Sequence, residues 1–143
     1  MEFVAKKFSD LTVYELYEIL KSRTEVFLLE QMVICQDMDD LDQESLHCFI
    51  LDKGRAVACL RAFRTDNDTA RVSRVVTITH GKGLGRELME KSIPEIKKYF
   101  GCKKVYAHAQ KQAEGFYEKM GFKTVSGEYL EEGIIHVNME MYI

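Results

Sequence analysis

The sequence predicts an α/β (α+β) fold: a mixed, mostly antiparallel sheet of about seven strands with helices on both faces. Three observations lead there. β-rich runs between His47 and Thr79 are joined only by the short turns Lys53-Gly54 and Asp66-Asn67-Asp68, so they must be antiparallel neighbours. A glycine-rich turn, Gly81-Lys82-Gly83-Leu84-Gly85, then passes straight into a long helical pattern. Beyond it, strand and helix patterns alternate to Ile143, which gives a mixed sheet rather than a purely wound one. A chain of 143 residues, 46% hydrophobic and 30% charged, reads as one soluble domain over residues 1–143 with a single sizeable core.

Taken in order, residues 2–8 alternate weakly and predict a first strand. Thr12 with Glu15 three residues on is a capping-box signal. Val13, Leu16, Tyr17 and Leu20 then recur with helical spacing, and the pattern runs through Val26 and Phe27 to Gln31, with a break expected near Ser22. An acidic loop, Asp37 to Asp42, follows. Strands are predicted over His47–Leu51, Arg55–Arg64 and Ala70–Thr79. The glycine turn launches a helix over Leu84–Phe100, with Leu88, Met89, Ile93, Ile96 and Phe100 facing the core. Pro94 is expected to kink or split it near Ser92, and Gly101 to end it. Lys103–Ala109 reads as a strand, and Ala113, Phe116, Tyr117 and Met120 mark a short helix stopped by Gly121. Strands near Phe122–Gly127 and Ile134–Tyr142 close the chain.

Composition narrows the class of function. A net charge of −3 supplies no drive toward nucleic acid or an anionic membrane surface, and no apolar run is long enough to span a bilayer. The N-terminal residues lack the architecture of a signal peptide, so a cytoplasmic location is expected. Cys35, Cys48, Cys59 and Cys102 show no C-x-x-C spacing, and three sit among apolar residues; buried free thiols are expected, and no metal site.

The glycine turn is the most informative stretch. Gly81, Gly83 and Gly85 let the backbone turn tightly and leave its N–H groups open to a ligand. The helix beginning there adds unpaired N–H groups and a partial positive charge, and Lys82 and Arg86 add cations, which together suit a phosphate or pyrophosphate. A Walker A loop is excluded by spacing and by the missing Lys-Ser/Thr pair. The dinucleotide fingerprint is excluded by G-x-G-x-G in place of G-x-G-x-x-G. It is also excluded by a following strand that ends Tyr106-Ala107-His108-Ala109 without a carboxylate.

A third pattern fits. His80-Gly81-Lys82-Gly83-Leu84-Gly85 resembles the Arg/Gln-x-x-Gly-x-Gly/Ala motif of the GNAT superfamily of acyl-CoA-dependent N-acetyltransferases. Ala113 through Phe116-Tyr117 to Gly121-Phe122 resembles that superfamily's second mark. Tyr14 to Tyr17, Arg23, Val26-Phe27, Glu30-Gln31, Asp37 to Asp42 and His47 look like the N-terminal signature of the ElaA-type branch. The tail Tyr129 to Met139 is similar to that branch's ending, with Ile135 at a usual proline. Two departures stand out: His80 replaces Arg or Gln, and the stretch from Arg74 to the glycine turn is about two residues short.

The resemblance implies a sheet splayed between its fourth and fifth strands to admit acetyl-CoA, the expected co-substrate, and direct acetyl transfer to a primary amine. The acceptor would be a small molecule or a peptide, and the protein a monomer or homodimer. It implies a cofactor-binding set of Val76, Thr77, Ile78, His80, Gly81, Lys82, Gly83, Leu84, Gly85, Arg86, Gln110 and Tyr117. The amide of Val76 is the expected oxyanion donor, and Tyr117 the acid that protonates the CoA sulfur. Glu30 is expected as the catalytic or substrate-binding carboxylate, the alternative being an ion pair to Arg23 or Arg61. His47 and His108 are expected at the substrate, and each, like His136, is a candidate base. The acidic loop could attract a cationic amine or simply be a solvated surface. An alternative of another class, a non-catalytic CoA-binding or protein-interaction module on the same scaffold, stays open at this point.

Overall fold

A computed structural model describes all residues from Met1 to Ile143. Eight strands form one sheet in the order β1-β2-β3-β4-β5-β8-β6, with β7 paired to β8. They are β1 (Glu2–Lys7), β2 (Leu46–Asp52), β3 (Arg55–Asp66), β4 (Thr69–Thr77), β5 (Lys104–Gln110), β6 (Lys123–Thr124), β7 (Tyr129–Glu131) and β8 (Ile134–Tyr142). The helices are α1 (Val13–Arg23), α2 (Leu84–Phe100) and α3 (Glu114–Lys119). Every neighbouring pair is antiparallel except β4–β5. The tail holds one more strand than its pattern suggested. Tyr129–Glu131 pairs back on Ile134 to His136 through Glu132-Gly133, both at positive φ, so that Glu131 pairs with Ile134.

Alternation along the strands divides the core in two. Cys48, Ile50, Ala58, Leu60, Ala62, Val72, Val105, Ala107, Val137 and Met139 pack with Leu84, Leu88, Met89 and Ile96 of α2 in the larger cluster. On the opposite face Phe49, Cys59 and Val76 pack with Ile19 and Val26 in a smaller one. Helices therefore cover both faces, as predicted.

The capping box of α1 is formed: Glu15 N–H donates to Thr12 Oγ1 at 3.0 Å, and Thr12 N–H to Glu15 Oε1 at 2.8 Å. Its buried face is not the predicted one. Val13 and Tyr17 are 82% and 68% exposed, whereas Ile19, Ser22, Arg23 and Val26 are buried. Two polar residues lie in that face because both are satisfied there: Ser22 Oγ donates to Ala56 O, and Arg23 meets Asp37 and Asp42. The helix runs through Ser22 unbroken. It then widens over Thr24–Glu30 into a π-helical segment, closed by Gln31 N–H donating to Val26 O at 2.9 Å. Such widening recurs near functional sites.

Nor does Pro94 split α2, which is continuous from Leu84 to Phe100. Pro94 and Glu90 both lie on the exposed side, so the Glu90 carbonyl that loses its partner faces water. Gly101, at φ +64°, ends the helix as expected.

Candidate active site

β4 and β5 pair only from Thr69–Val72 against Lys104–Ala107. Past Val72 they part, opening the predicted splay. Its cause lies in β4 itself. Cys59 pairs with Val76 but Arg61 with Ser73, so β4 carries one extra residue there, and Arg74 sits at φ +54°. A bulge of this kind bends its strand and turns it away from a neighbour. A non-glycine residue in that conformation is costly unless its surroundings hold it. Arg74 is held: Nε lies 2.9 Å from Asp37 Oδ1, and one terminal nitrogen donates to Asp37 O at 2.9 Å and Asp39 Oδ2 at 3.2 Å.

Those aspartates belong to a larger network. Arg23 meets Asp42 at 2.7 Å and Asp37 at 2.9 Å; Arg61 meets Asp39 at 2.7 Å and Asp42 at 3.0 Å. Three arginines thus take up three of the acidic loop's carboxylates. The loop is a structural clamp on the bulge rather than bait for a cationic amine. The Arg61 hydrogen bonds hold the Asp39 carboxyl well below the usual carboxylate range. Burial would raise Asp42, but its bonds to Arg23 and Arg61 outweigh that and lower it.

Two cavities meet at the splay. The first, about 320 Å³, follows the glycine turn past Thr77, His80, Gly81, Lys82, Gly83, Leu84, Gly85 and Arg86. Gly81 and Gly83 stand at φ +74° and +72°, with no atom near the place of a side chain. Only glycine turns this way without strain while leaving the concavity open. Gly85 lies close to Phe116, and a Cβ there would make ordinary van der Waals contact with the ring at 3.4 Å. The first amide bond of α2 runs from Glu87 N–H to Gly83 O. The preceding amides of Leu84, Gly85 and Arg86 at the helix N-terminus have no intrahelical acceptor. These residues fit a pyrophosphate. Lys82 and Arg86 are exposed beside it, Arg86 meanwhile donating to Glu90 at 2.8 Å.

The second cavity, about 340 Å³, lies between β4, β5, the π-helical segment and the β7–β8 turn. It shares Val75 and Phe116 with the first, and Tyr117 lines it. The Tyr117 ring packs edge-on against Phe116 and Phe122 at 5.3 Å from each. Burial pushes its phenol up to about 12, so it stays protonated and can donate. Across the cavity, His108 Nδ1 lies 3.2 Å from Glu131 Oε1, and His136 Nε2 lies 3.5 Å from Glu131 Oε2. Burial, then the nearby Arg71 charge, lowers the pKa of His108, leaving its imidazole neutral near pH 7.

The other expected residues fall elsewhere or differently. His47, expected at the substrate, is buried below the acidic loop, its Nε2 bonded to Asp42 O at 2.8 Å, and lines neither cavity. Glu30 pairs with neither Arg23 nor Arg61 and lines neither cavity. It meets His80 Nε2 at 2.6 Å, tying the π-helical segment to the glycine turn at the surface. Gln110 does line the second cavity, donating to Gln31 at 2.9 Å and accepting from Gln112 at 2.7 Å. Val76 is buried in the smaller cluster, while Thr77 and Ile78 are half-buried. Ile78 N–H donates to Val57 O, and the register continues through Thr77 against Ala58 and Val76 against Cys59. By antiparallel alternation the Val76 amide also turns toward β3 and that of Thr77 toward the gap, while Val75 lies in the bulge, where the alternation is broken. Arg71, Glu131 and Glu132 were not singled out from the sequence. Their signal was an alternation of polar residues, Arg71/Ser73 and Tyr106/His108/Gln110, on one face of adjacent strands.

A cleft at a splayed parallel pair, a glycine turn at a helix N-terminus and a buried phenol in the adjoining cavity mark an acetyltransferase architecture. Residues 4–143 match the family model of the acetyltransferase (GNAT) domain, and the chain belongs to that family, whose reaction class is acyl transfer. Among relatives, a UPF0039 protein of Schizosaccharomyces pombe is 36% identical, covering 99% of this chain and 97% of the relative. Protein ElaA of Escherichia coli is 34% identical, covering 92% and 90%. In structure the chain is similar to an acyl-CoA N-acyltransferase from Pseudomonas aeruginosa, at TM-score 0.91 and 33% identity over 99% of both chains. The ElaA-type resemblance is thus met, and the chain is an N-acetyltransferase rather than a bare binding module.

Proposed function

We propose that this enzyme takes the acetyl group from acetyl-CoA and passes it directly to a primary amine seated in the second cavity. The observation that carries this reading is the continuity of the two cavities through Val75 and Phe116, with Tyr117 next to Phe116 in the wall of the second. The glycine turn and the amides opening α2 take the pyrophosphate, and the pantetheine arm runs along β4 into the splay. The oxyanion donor in this reading is the Thr77 amide rather than that of Val76, which by alternation faces β3.

The amine must attack as a neutral nucleophile. His108, neutral and oriented by Glu131, accepts the amine's proton as the C–N bond forms. Collapse of the tetrahedral intermediate breaks the C–S bond, and the Tyr117 hydroxyl protonates the departing thiolate. An ordinary thiol titrates at about 8.5, so a free thiolate is a weaker base than this phenolate. The proton moves onto the sulfur as the C–S bond breaks, and the His108 proton, returned through solvent, restores the phenol. Glu30, itself lining neither cavity but paired to His80 in the wall of the first, is left with a role in holding the glycine turn.

The test is calorimetric titration with acetyl-CoA, followed by an amine panel on the same sample with free thiol as the readout. Binding with amine-dependent thiol release supports the reading. Binding without thiol release for any amine removes the catalytic assignment of the second cavity.

A further inference from the structure

The second cavity contains a cation with no partner. Arg71 lies on β4 opposite Tyr106, in the last pairs before β4 and β5 part, and its side chain lines the cavity. It forms no hydrogen bond or ion pair with any protein group, and its Nε is sealed from solvent without an acceptor. Phe63 covers one face of the guanidinium, 5.8 Å from the ring centroid. The other two arginines of this cavity, Arg23 and Arg74, are each ion-paired within the aspartate network. The nearest carboxylate on the opposite wall, Glu131, is committed to His108 and His136.

An arginine is charged at any physiological pH, and a half-buried one without an anion is costly to maintain. Its fork of N–H groups matches a planar carboxylate. The facing wall, with Glu131, Glu132 and two histidines, suits an amine. A cavity of about 340 Å³ has the size of a small-molecule site. We infer that the acceptor is a small amino acid: its carboxylate sits on Arg71 and its amine is presented to the His108–Glu131 wall. This rests on the reading above that the second cavity holds the acceptor, and it deepens that reading by naming the acceptor's class.

The experiment compares acids with their own amides as acceptors: alanine with alaninamide, 4-aminobutyrate with its amide, and 6-aminohexanoate with its amide. The three spacings let the cavity choose the distance between amine and carboxylate. At least one acid should show a KM about tenfold or more below its amide, the scale of a charge-assisted bidentate contact. Arg71→Gln should erase that difference by raising the KM of the acid, and Arg71→Lys should restore part of it. Acetyl-CoA calorimetry on each variant reports whether the fold and the first cavity are intact. Equal KM values for acid and amide, or a preference that survives Arg71→Gln, would overturn the inference while leaving acetyl transfer standing.

A parallel titration of the CoA-loaded protein with the same acids, followed by NMR, separates the two failures. Arg71-dependent binding of an acid without turnover keeps the carboxylate site and sinks the catalytic reading. If no acid in the series binds or reacts, the inference is wrong.

Discussion

On the side of the sheet covered by α2, the strands present Cys48, Ile50, Leu60, Val72, Val105, Ala107 and Val137. On the side toward α1, the same strands present His47, Arg61, Arg71, Ser73, His108, Gln110 and His136, with a small apolar patch around Phe49 and Val76. Successive residues of one strand therefore do different work. The first face holds the fold together by burial, while the second spends polar residues on a clamped bulge and an open cavity. The separation lets the chemistry of one face vary without repacking the other.

Asp42→Ala attacks the second face at its most connected point, because Asp42 is shared by Arg23 and Arg61. Two buried guanidinium groups would lose a carboxylate, and denaturant unfolding should show a loss of about 3–5 kcal/mol. The same clamp sets an acid limit. Asp39 and Asp42 both have carboxyls held below the unfolded value of about 3.9, so their stabilisation is complete above that pH. It is lost as pH falls through their folded-state pKa values. Asp42→Ala should therefore flatten the fall of stability in acid; an unchanged acid profile would remove the clamp from the account.

Leu88→Ala tests the apolar face, where Leu88 is fully buried in the larger cluster. A loss of about 2–5 kcal/mol is expected with acetyl-CoA affinity nearly unchanged at temperatures where the protein is folded. Coupled losses of stability and affinity would show that the faces are not independent.

Tyr117→Phe removes only a hydroxyl in the second cavity, beside the junction at Phe116. It should lower kcat about a hundredfold and leave acetyl-CoA binding intact. Full turnover would reduce Tyr117 to a packing residue between Phe116 and Phe122. The smallest effect is expected from Arg86→Glu at the exposed start of α2, a several-fold loss of acetyl-CoA affinity that shrinks with added salt. Unchanged affinity would remove the side-chain part of the helix-terminus argument.

Legibility in the sequence followed the same division. Helix α2 was readable to its ends because Gly83 and Gly101 bracket a periodic apolar face, and the antiparallel meander was readable from Lys53-Gly54 and Asp66-Asn67-Asp68. The buried face of α1 was misread because hydrophobic spacing cannot see that Ser22 and Arg23 have partners over thirty and over a dozen residues away in Ala56 and in Asp37 and Asp42. The acidic loop was ambiguous for the same reason. His47 and Glu30 were plausible by position in the chain, yet only tertiary contacts reveal that one is buried under the loop and the other faces His80. Arg71 could have been found by noticing that it shares a strand face with Ser73, and that Tyr106, His108 and Gln110 alternate on the neighbouring strand.

The central claim is that acetyl passes straight from thioester to amine across the junction beside Tyr117. The most direct test is a single-turnover reaction of the protein with acetyl-CoA and an accepted amine, read by mass spectrometry of both the protein and the small molecules. The account predicts one acetylated amine per free CoA and no acetyl group retained on the protein. An acetylated protein that forms before the amine is added and then passes its acetyl on would contradict it.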